Sequence, residues 1–186
     1  NTTITNAYKA NLVQRGTGSN MGSSDILEMF SIYGQQNSSS SELSRILIKF
    51  PVSDIVTARN NGQIPSSGSC SFYLRMFNAP HGQTLPKDTT AIIQPISRSW
   101  AEGTGLDMED YSDRDAANWV YATENTTWTS EGGDYLSNPT YSASFETGLE
   151  NIETDISPLV EQWIVGTINN YGVGVRLTSS LENDST

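Results

Sequence analysis

The 186-residue chain is long enough to form one domain with a sizeable hydrophobic core and is short for two domains. Its formal net charge of −11 disfavours nucleic acid as a partner, since two negatively charged surfaces repel each other. The single cysteine, Cys70, excludes an internal disulfide, and no apolar run reaches the length of a membrane-spanning helix, so we expect no membrane partner.

The first part of the chain is polar, with isolated apolar residues. Residues 1–13 predict a first strand, and residues 26–32 predict a second one. The glycine-rich segment 16–22 lacks the buried strand and the helix that flank a phosphate-binding loop, so it is interpreted as a flexible turn. Four consecutive serines in the segment 35–42 indicate a surface loop.

The segment 44–50 gives the clearest strand pattern of the chain. Ile46, Ile48 and Phe50 alternate with charged residues and predict one buried face. Leu47 departs from this alternation, because it is apolar and belongs to the opposite face.

Further short elements follow in close succession. Residues 52–59 predict a short helical turn, and residues 71–77 predict a strand with Phe72, Leu74 and Met76 on one face. Apolar and β-branched residues predict three more strands, at 90–96, 142–145 and 150–156.

The segment 157–166 is the one convincing helix pattern. Ser157 is a suitable N-cap, Pro158 suits the first helical position, and Gly166 suits the end. An apolar stripe along this helix would close one end of the core, and it consists of Val160, Trp163 and Ile164.

These patterns predict an all-β fold, a β-sandwich or jelly roll with one short helix late in the chain. A closing strand at 171–177 completes a single domain over residues 1–177. Residues 178–186 are polar, and we interpret them as a tail or as a linker to a missing C-terminal part. The chain begins with Asn1 instead of Met, which is typical of a processed protein or of a piece of a longer one.

The segment 97–115 is an acidic loop that follows the strand at 90–96. Closely spaced carboxylates are the ligands that calcium prefers, although the EF-hand pattern with its central glycine is absent. The two interpretations are a structural calcium ion, as the only cofactor considered, and a solvated acidic loop. The candidate calcium ligands are Asp107, Glu109, Asp110, Asp113 and Asp115.

Catalytic patterns are weak throughout the chain. His81 is the only histidine, and it lies in a Pro-His-Gly turn without the serine and aspartate of a triad. Cys70 has no neighbouring base that would activate its thiol. Carboxylate pairs for glycoside hydrolysis can be drawn from Glu102 and the acidic loop, but sequence spacing does not give the separation that this mechanism requires. We therefore predict that the protein is not an enzyme.

Three aromatic residues lie close together after the acidic loop: Trp119, Tyr121 and Trp128. If they are exposed on one face, they can stack on sugar rings as flat apolar platforms. In the alternative interpretation, the two tryptophans pack the long loop onto the core, as large aromatic residues usually do.

The order of the strand motifs resembles that of a known family. The run Arg45-Ile-Leu-Ile-Lys-Phe50 is followed by Phe72-Tyr-Leu-Arg75, by the Trp100-x-Glu-Gly motif, and by Asp155-Ile-Ser-Pro-Leu-Val160 with the later Trp163. Together with the closing run Tyr-Gly-Val-Gly-Val-Arg-Leu, this order resembles the DNRLRE-type β-sandwich domains. Some members of that family are polysaccharide-binding modules.

A longer pattern adds to the resemblance. The segments 102–111, 118–119 and 128–135 are similar to a version of the domain found in structural proteins of tailed bacteriophages, cyanophages and marine phages among them. The resemblance implies a non-enzymatic virion structural protein, a decoration or fibre-type domain on the capsid or tail surface.

Such a protein would act through assembly or adhesion contacts with other virion proteins, with copies of itself or with a host-surface glycan. The alternative is a carbohydrate-binding module of a secreted bacterial protein, located outside the cell and bound to an extracellular glycan.

Overall fold

The computed structural model of the chain describes residues 1–7, 20–34, 37–80, 87–106 and 115–183. Within these ranges most elements are β-strands in antiparallel sheets, and the helices are short, as the predicted all-β sandwich requires. None of these helices has the length and hydropathy of a membrane span.

The described elements follow one another in chain order as short segments. The strands are β1 (Thr2–Thr5), β2 (Ser31–Tyr33), β3 (Ser41–Ile48), β4 (Tyr73–Met76), β5 (Thr89–Pro95), β6 (Tyr121–Thr123), β7 (Thr126–Thr127), β8 (Tyr141–Phe145), β9 (Ile152–Asp155) and β10 (Val173–Leu177). The helices are α1 (Ser53–Asn60), α2 (Ser157–Val165) and α3 (Ser179–Glu182).

The largest sheet has the strand order β1-β3-β10-β5-β8, and β2 also pairs with β3. All of these pairs are antiparallel. At the centre of the sheet, Val175 of β10 lies between Ile46 of β3 and Ile93 of β5, and all three side chains are buried. Two smaller antiparallel sheets are formed by β4 with β9 and by β6 with β7.

Strand β3 is buried on both faces. Ile46 and Ile48 belong to the core between the large sheet and the β4–β9 sheet, whereas Leu47 belongs to a second hydrophobic cluster. This second cluster explains why Leu47 departs from the simple alternation, because a strand covered on both faces carries apolar residues at successive positions. Phe50 lies beyond the end of β3 and is 36% exposed, so its predicted place on the buried face is wrong.

The first hydrophobic core fills the space between the large sheet, the β4–β9 sheet and helix α2. Helix α2 contributes its buried side chains Leu159, Val160 and Trp163, which confirms most of the predicted stripe, and Ile164 is half-buried against the same core. Helix α1 lies beside α2, and Arg59 makes two hydrogen bonds of 2.8 and 2.9 Å to the Glu161 carboxylate.

The second hydrophobic core covers the opposite face of the large sheet. Trp100, Trp119 and Trp128 pack there with Ile4 and Leu47. The described part of the segment between β5 and β8 therefore forms a covering layer on the sheet, and its tryptophans are structural.

The N-terminal part of the chain differs from the prediction. The strand expected at 26–32 is restricted to β2, and two residues of the segment before β2 contact β1 instead. The amides of Met21 and Glu28 donate hydrogen bonds of 3.1 and 3.0 Å to the hydroxyls of Thr2 and Thr3. These bonds satisfy side-chain acceptors of a strand whose four residues are all buried.

Asn20 is a buried junction between three segments. Its Nδ2 donates hydrogen bonds to the Thr2 hydroxyl and to the carbonyls of Glu102 and Ala117, at 3.1, 2.8 and 2.9 Å. Its Oδ1 accepts from the amide of Gly22 at 2.9 Å. Of the turn predicted at residues 16–22, Asn20 and Met21 are buried and Gly22 lies in a turn, while residues 16–19 lie outside the described ranges.

The ends of helix α2 agree only in part with the sequence pattern. The helix begins at Ser157 and its N-cap is Ile156, so the predicted Ser157 cap is wrong. The side chain that accepts from the first helical amide is that of Asp155, whose Oδ1 lies 2.8 Å from the Ser157 nitrogen. The Ser157 hydroxyl instead accepts a hydrogen bond of 2.8 Å from the Phe72 amide. Gly166 ends the helix in the left-handed conformation with φ of 76°, which favours glycine.

The described part of the polar C-terminal segment is folded onto the sheet. Residues 179–182 form helix α3, which the sequence pattern did not predict, whereas α1 confirms the short helical turn predicted at residues 52–59. Glu182 is 7% exposed, and the carbonyl of Leu181 accepts a hydrogen bond of 3.0 Å from Ser31. Residues 184–186 lie outside the described ranges, and a linker role for this segment stays a prediction.

Candidate functional site

The two tryptophans predicted to bind sugar are part of the second hydrophobic core. Trp119 is 6% exposed and Trp128 is 5% exposed, and the indole of Trp128 donates a hydrogen bond of 2.8 Å to the Asn118 carbonyl. Tyr121 is half-buried in β6. Stacking on a sugar requires an accessible ring face, so the burial of both tryptophans contradicts the exposed platform and agrees with the alternative interpretation, in which they pack the loop onto the core.

The candidate calcium site stays a prediction. Asp107, Glu109, Asp110 and Asp113 lie outside the described residues, and Asp115 is exposed at the start of the next described range. Within the described ranges no group of three or more carboxylate, histidine or cysteine side chains could hold a metal ion.

The other residues considered for catalysis are His81, Cys70 and Glu102. His81 lies outside the described residues. Cys70 is half-buried, and its sulfur lies 3.7 Å from the Pro65 carbonyl. Glu102 forms an ion pair with the N-terminal amine of Asn1.

A buried polar layer lies within the second core, and its centre is Arg45 on β3. The Arg45 guanidinium makes two hydrogen bonds, of 2.9 and 2.7 Å, to the Glu182 carboxylate of α3. It also lies 5.1 Å from the centroid of the Trp119 ring and 5.8 Å from that of Tyr135. Arg176 stacks on Tyr135 at 4.9 Å. We call these five residues the arginine layer.

Burial alone would lower the pKa of Arg45, but the Glu182 carboxylate and the Tyr135 hydroxyl together more than offset this effect and raise it. The pKa of Arg176 is lowered because burial dominates, and burial raises the pKa of the Tyr135 hydroxyl. The charges of Arg45 and Glu182 are paired with each other, so the layer attaches the covering segment and α3 to the sheet.

The β4–β9 sheet presents an exposed face of a different character. Along β4 and the residue after it, Tyr73, Arg75 and Phe77 are exposed, whereas the alternate positions point into the first core. Tyr73 is 49% exposed and Phe77 is 79% exposed. Arg75 forms a 2.9 Å ion pair with Glu153 of β9. We call these four residues the β4 strip.

The β4 strip was missed by the sequence analysis, although a signal for it was present. The same alternation that assigned Phe72, Leu74 and Met76 to the core assigns Tyr73, Arg75 and Phe77 to the outside.

An apolar cleft opens beside the strip, between the inner face of the large sheet and the β4–β9 sheet. Its volume is about 130 Å³. Leu149, in the turn between β8 and β9, lies next to the cleft residue Glu150 and is 65% exposed. The residues that line the cleft are Leu27, Met29, Ile46, Met76, Phe77, Asn78, Phe145, Glu150, Ile152 and Val175.

Glu150 organises the turn at the edge of the cleft. Its carboxylate accepts hydrogen bonds from the amide and the hydroxyl of Thr147, at 2.9 and 2.8 Å, and from the amide of Gly148 at 2.9 Å. The bonds from Thr147 lower the pKa of Glu150 to about 2, and the bond from Gly148 acts in the same direction.

The turn is attached to the end of β4 through Asn78. Its Nδ2 donates a hydrogen bond of 2.7 Å to the Gly148 carbonyl, and its amide donates one of 2.9 Å to Asn151 Oδ1. The cleft thus combines apolar walls with a carboxylate that is ionised at neutral pH.

Comparisons with protein-family models, with curated proteins and with solved structures found no match. The resemblance to DNRLRE-type domains and to phage structural proteins therefore stays a prediction from the sequence.

Proposed function

We propose that the chain is a non-enzymatic structural domain of a tailed-phage virion, exposed on the capsid or tail surface, and that it acts through protein contacts at the β4–β9 end. The virion assignment comes from the sequence resemblance. The observation that supports a contact function is the group of exposed apolar side chains around the apolar cleft, with Phe77 at 79% and Leu149 at 65% exposure.

Exposed apolar side chains gathered beside an apolar cleft are typical of interaction surfaces, because their burial against a partner removes apolar area from water. The tight tethering of the turn at 147–150 to Asn78 keeps this surface in one arrangement, which reduces the entropy lost on binding.

Immunogold electron microscopy of purified phage particles, with an antibody raised against this domain, tests the virion assignment. We expect regular labelling of the head, neck or tail. Unlabelled particles, with the protein found in the culture medium instead, would contradict the assignment and favour a secreted protein.

The second candidate function is a carbohydrate-binding module, and the β4 strip favours it. Tyr73 and Phe77 are exposed and lie four residues apart, which along a strand is about 13 Å. Between them, the Arg75–Glu153 ion pair provides planar hydrogen-bonding groups next to apolar ring faces. This combination suits a sugar chain better than the buried tryptophans do.

A glycan array probed with the isolated protein tests this second function. Binding that is lost in a Tyr73→Ala variant and kept in a Val165→Ala variant would support it, because Val165 is also exposed but lies at the end of α2. An array without bound glycans would leave the structural role as the favoured function.

A further inference from the structure

We propose that the apolar cleft binds one apolar side chain of a partner protein, presented by a segment that carries lysine or arginine next to that side chain. This inference rests on the proposed contact function and specifies the chemistry of the partner at that surface.

The size of the cleft fits a single side chain. Apolar cavities of about 150 Å³ stay dry and take up a molecule as large as benzene. A cleft of about 130 Å³ therefore suits a leucine, isoleucine or methionine side chain and is too small for a lipid chain or a helix.

The walls of the cleft have the flexibility that an inserted side chain needs. Met29 and Met76 line it from two different segments, and methionine adapts its shape to irregular neighbours. Phe77 borders the same space with most of its ring exposed, so an inserted side chain would gain an additional apolar contact there.

The charge at the cleft decides which segments can approach. Of the described residues that line it, Glu150 alone is charged, and its hydrogen bonds from Thr147 and Gly148 keep it ionised at neutral pH. The nearby Glu153 is paired with Arg75. A segment with lysine or arginine beside its apolar side chain is therefore attracted, and an acidic segment is repelled.

A second copy of this chain is a poor occupant for the same reason. Each copy has a formal net charge of −11, so the approach of two copies is opposed by repulsion between like charges. The partner is thus expected to be a different protein with a basic contact segment.

The methionines provide a direct measurement on the intact chain. With ¹³C-labelled methionine methyl groups, Met29 and Met76 report on the cleft, while the buried Met21 lies outside it and is an internal control. The probe is the peptide acetyl-Lys-Leu-Lys-amide, compared with acetyl-Lys-Ala-Lys-amide and acetyl-Glu-Leu-Glu-amide.

We expect the Lys-Leu-Lys peptide to shift the Met29 and Met76 resonances saturably, with a dissociation constant on the order of 1 mM, and to leave Met21 unchanged. The alanine peptide should bind about tenfold more weakly because it lacks the apolar side chain. The acidic peptide should bind at least about threefold more weakly because of Glu150.

Two variants and a matched control sharpen the test. Phe77→Ser should weaken binding of the Lys-Leu-Lys peptide, whereas Val165→Ser, at another exposed apolar position, should not. Glu150→Gln should remove the preference for the basic over the acidic peptide.

Equal shifts with all three peptides, no shift up to about 10 mM, or shifts that spread to Met21 would overturn the proposal. Shifts of Met29 and Met76 that depend on protein concentration without peptide would also overturn it and would indicate a second copy as the occupant. Because the peptides are added to the isolated chain, this inference can fail while particle labelling succeeds, and the reverse can also occur.

Discussion

Arg45 is a buried charge that is surrounded by a carboxylate and two aromatic rings. Its side chain is 15% exposed and that of Glu182 is 8% exposed, and the two groups are joined by a pair of charge-assisted hydrogen bonds. The rings of Trp119 and Tyr135 lie next to the guanidinium, so its charge is also stabilised by cation–π contacts. One side chain therefore links β3, the covering segment and α3.

Replacing Arg45 by methionine should destabilise the protein by about 3 kcal/mol, because the Glu182 carboxylate is left buried without its partner. Urea denaturation measures this loss. Arg75→Met is the matched control, since Arg75 and Glu153 are 59% and 57% exposed and an exposed pair contributes at most about 1 kcal/mol.

The double variant Arg45→Met/Glu182→Leu should recover part of the lost stability, since it removes the isolated charge. Equal losses of stability for Arg45→Met and Arg75→Met would show that the buried Arg45–Glu182 pair contributes no more than the exposed Arg75–Glu153 pair.

Glu150 predicts a pH dependence at the edge of the cleft. Hydrogen bonds from Thr147 and Gly148 lower its pKa from 4.5 to about 2, so the folded state binds a proton less readily than the unfolded state does. The resulting stabilisation is complete above the unfolded pKa of 4.5 and is lost as the pH falls from 4.5 to about 2.

Thermal unfolding between pH 6 and pH 2, compared for the wild type and Glu150→Gln, measures this contribution. We expect the two melting curves to differ near pH 6 and to converge towards about pH 2. A difference that is independent of pH would show that the carboxylate charge does not stabilise the turn.

At the scale of single elements, the sequence is most informative where a pattern is local. The buried residues Ile46 and Ile48 of β3 follow from alternation, and the left-handed Gly166 at the end of α2 follows from helix-ending preferences. The missing Ser157 cap is different, because Ser157 is already the first helical residue and its hydroxyl accepts from the Phe72 amide of a distant segment. No local pattern contains that competition.

Strand β10 has a glycine where the second core requires one. A Cβ atom at Gly174 would lie 2.1 Å from Cε1 of Tyr135, whose hydroxyl donates a hydrogen bond of 2.7 Å to the Gly132 carbonyl. The ring is therefore held against the strand at a position where only glycine leaves room for it.

Gly174→Ala should destabilise the protein by about 2 kcal/mol, because the Tyr135 ring must move out of a well-packed position. Chemical denaturation measures the loss. In a Tyr135→Ala background the same substitution should have a much smaller effect, and a double-mutant cycle shows whether the two residues are coupled. Additive effects would mean that the contact does not account for the glycine.

At the scale of the molecule, the sandwich and its first core were predictable, because they depend on strand periodicity and on one well-marked helix. The second core was not, since it depends on which face of the sheet the segment between β5 and β8 covers. Trp119 was assigned alternatives of exposure and packing, and only the three-dimensional arrangement decides for packing. The cleft could not be predicted either, because Met29, Met76 and Glu150 come from distant parts of the sequence.

This arrangement predicts that mutating an aromatic residue of the second core lowers stability, whereas mutating an aromatic residue of the β4 strip does not. Trp128→Ala removes a side chain that is 5% exposed and hydrogen-bonded to the Asn118 carbonyl, so stability should fall by about 3–5 kcal/mol. Tyr73→Ala and Phe77→Ala remove exposed rings and should change stability by no more than about 0.5 kcal/mol each.

Urea denaturation measures the stability of the three variants. Binding of the Lys-Leu-Lys peptide and of glycans is then measured at a temperature where all three variants are folded. A binding defect in folded Tyr73→Ala or Phe77→Ala would place the contact surface on the β4 strip and the cleft. If instead Trp128→Ala keeps full stability and loses binding, the ring is accessible in solution, and the second core cannot have the closed packing that buries Trp128 here.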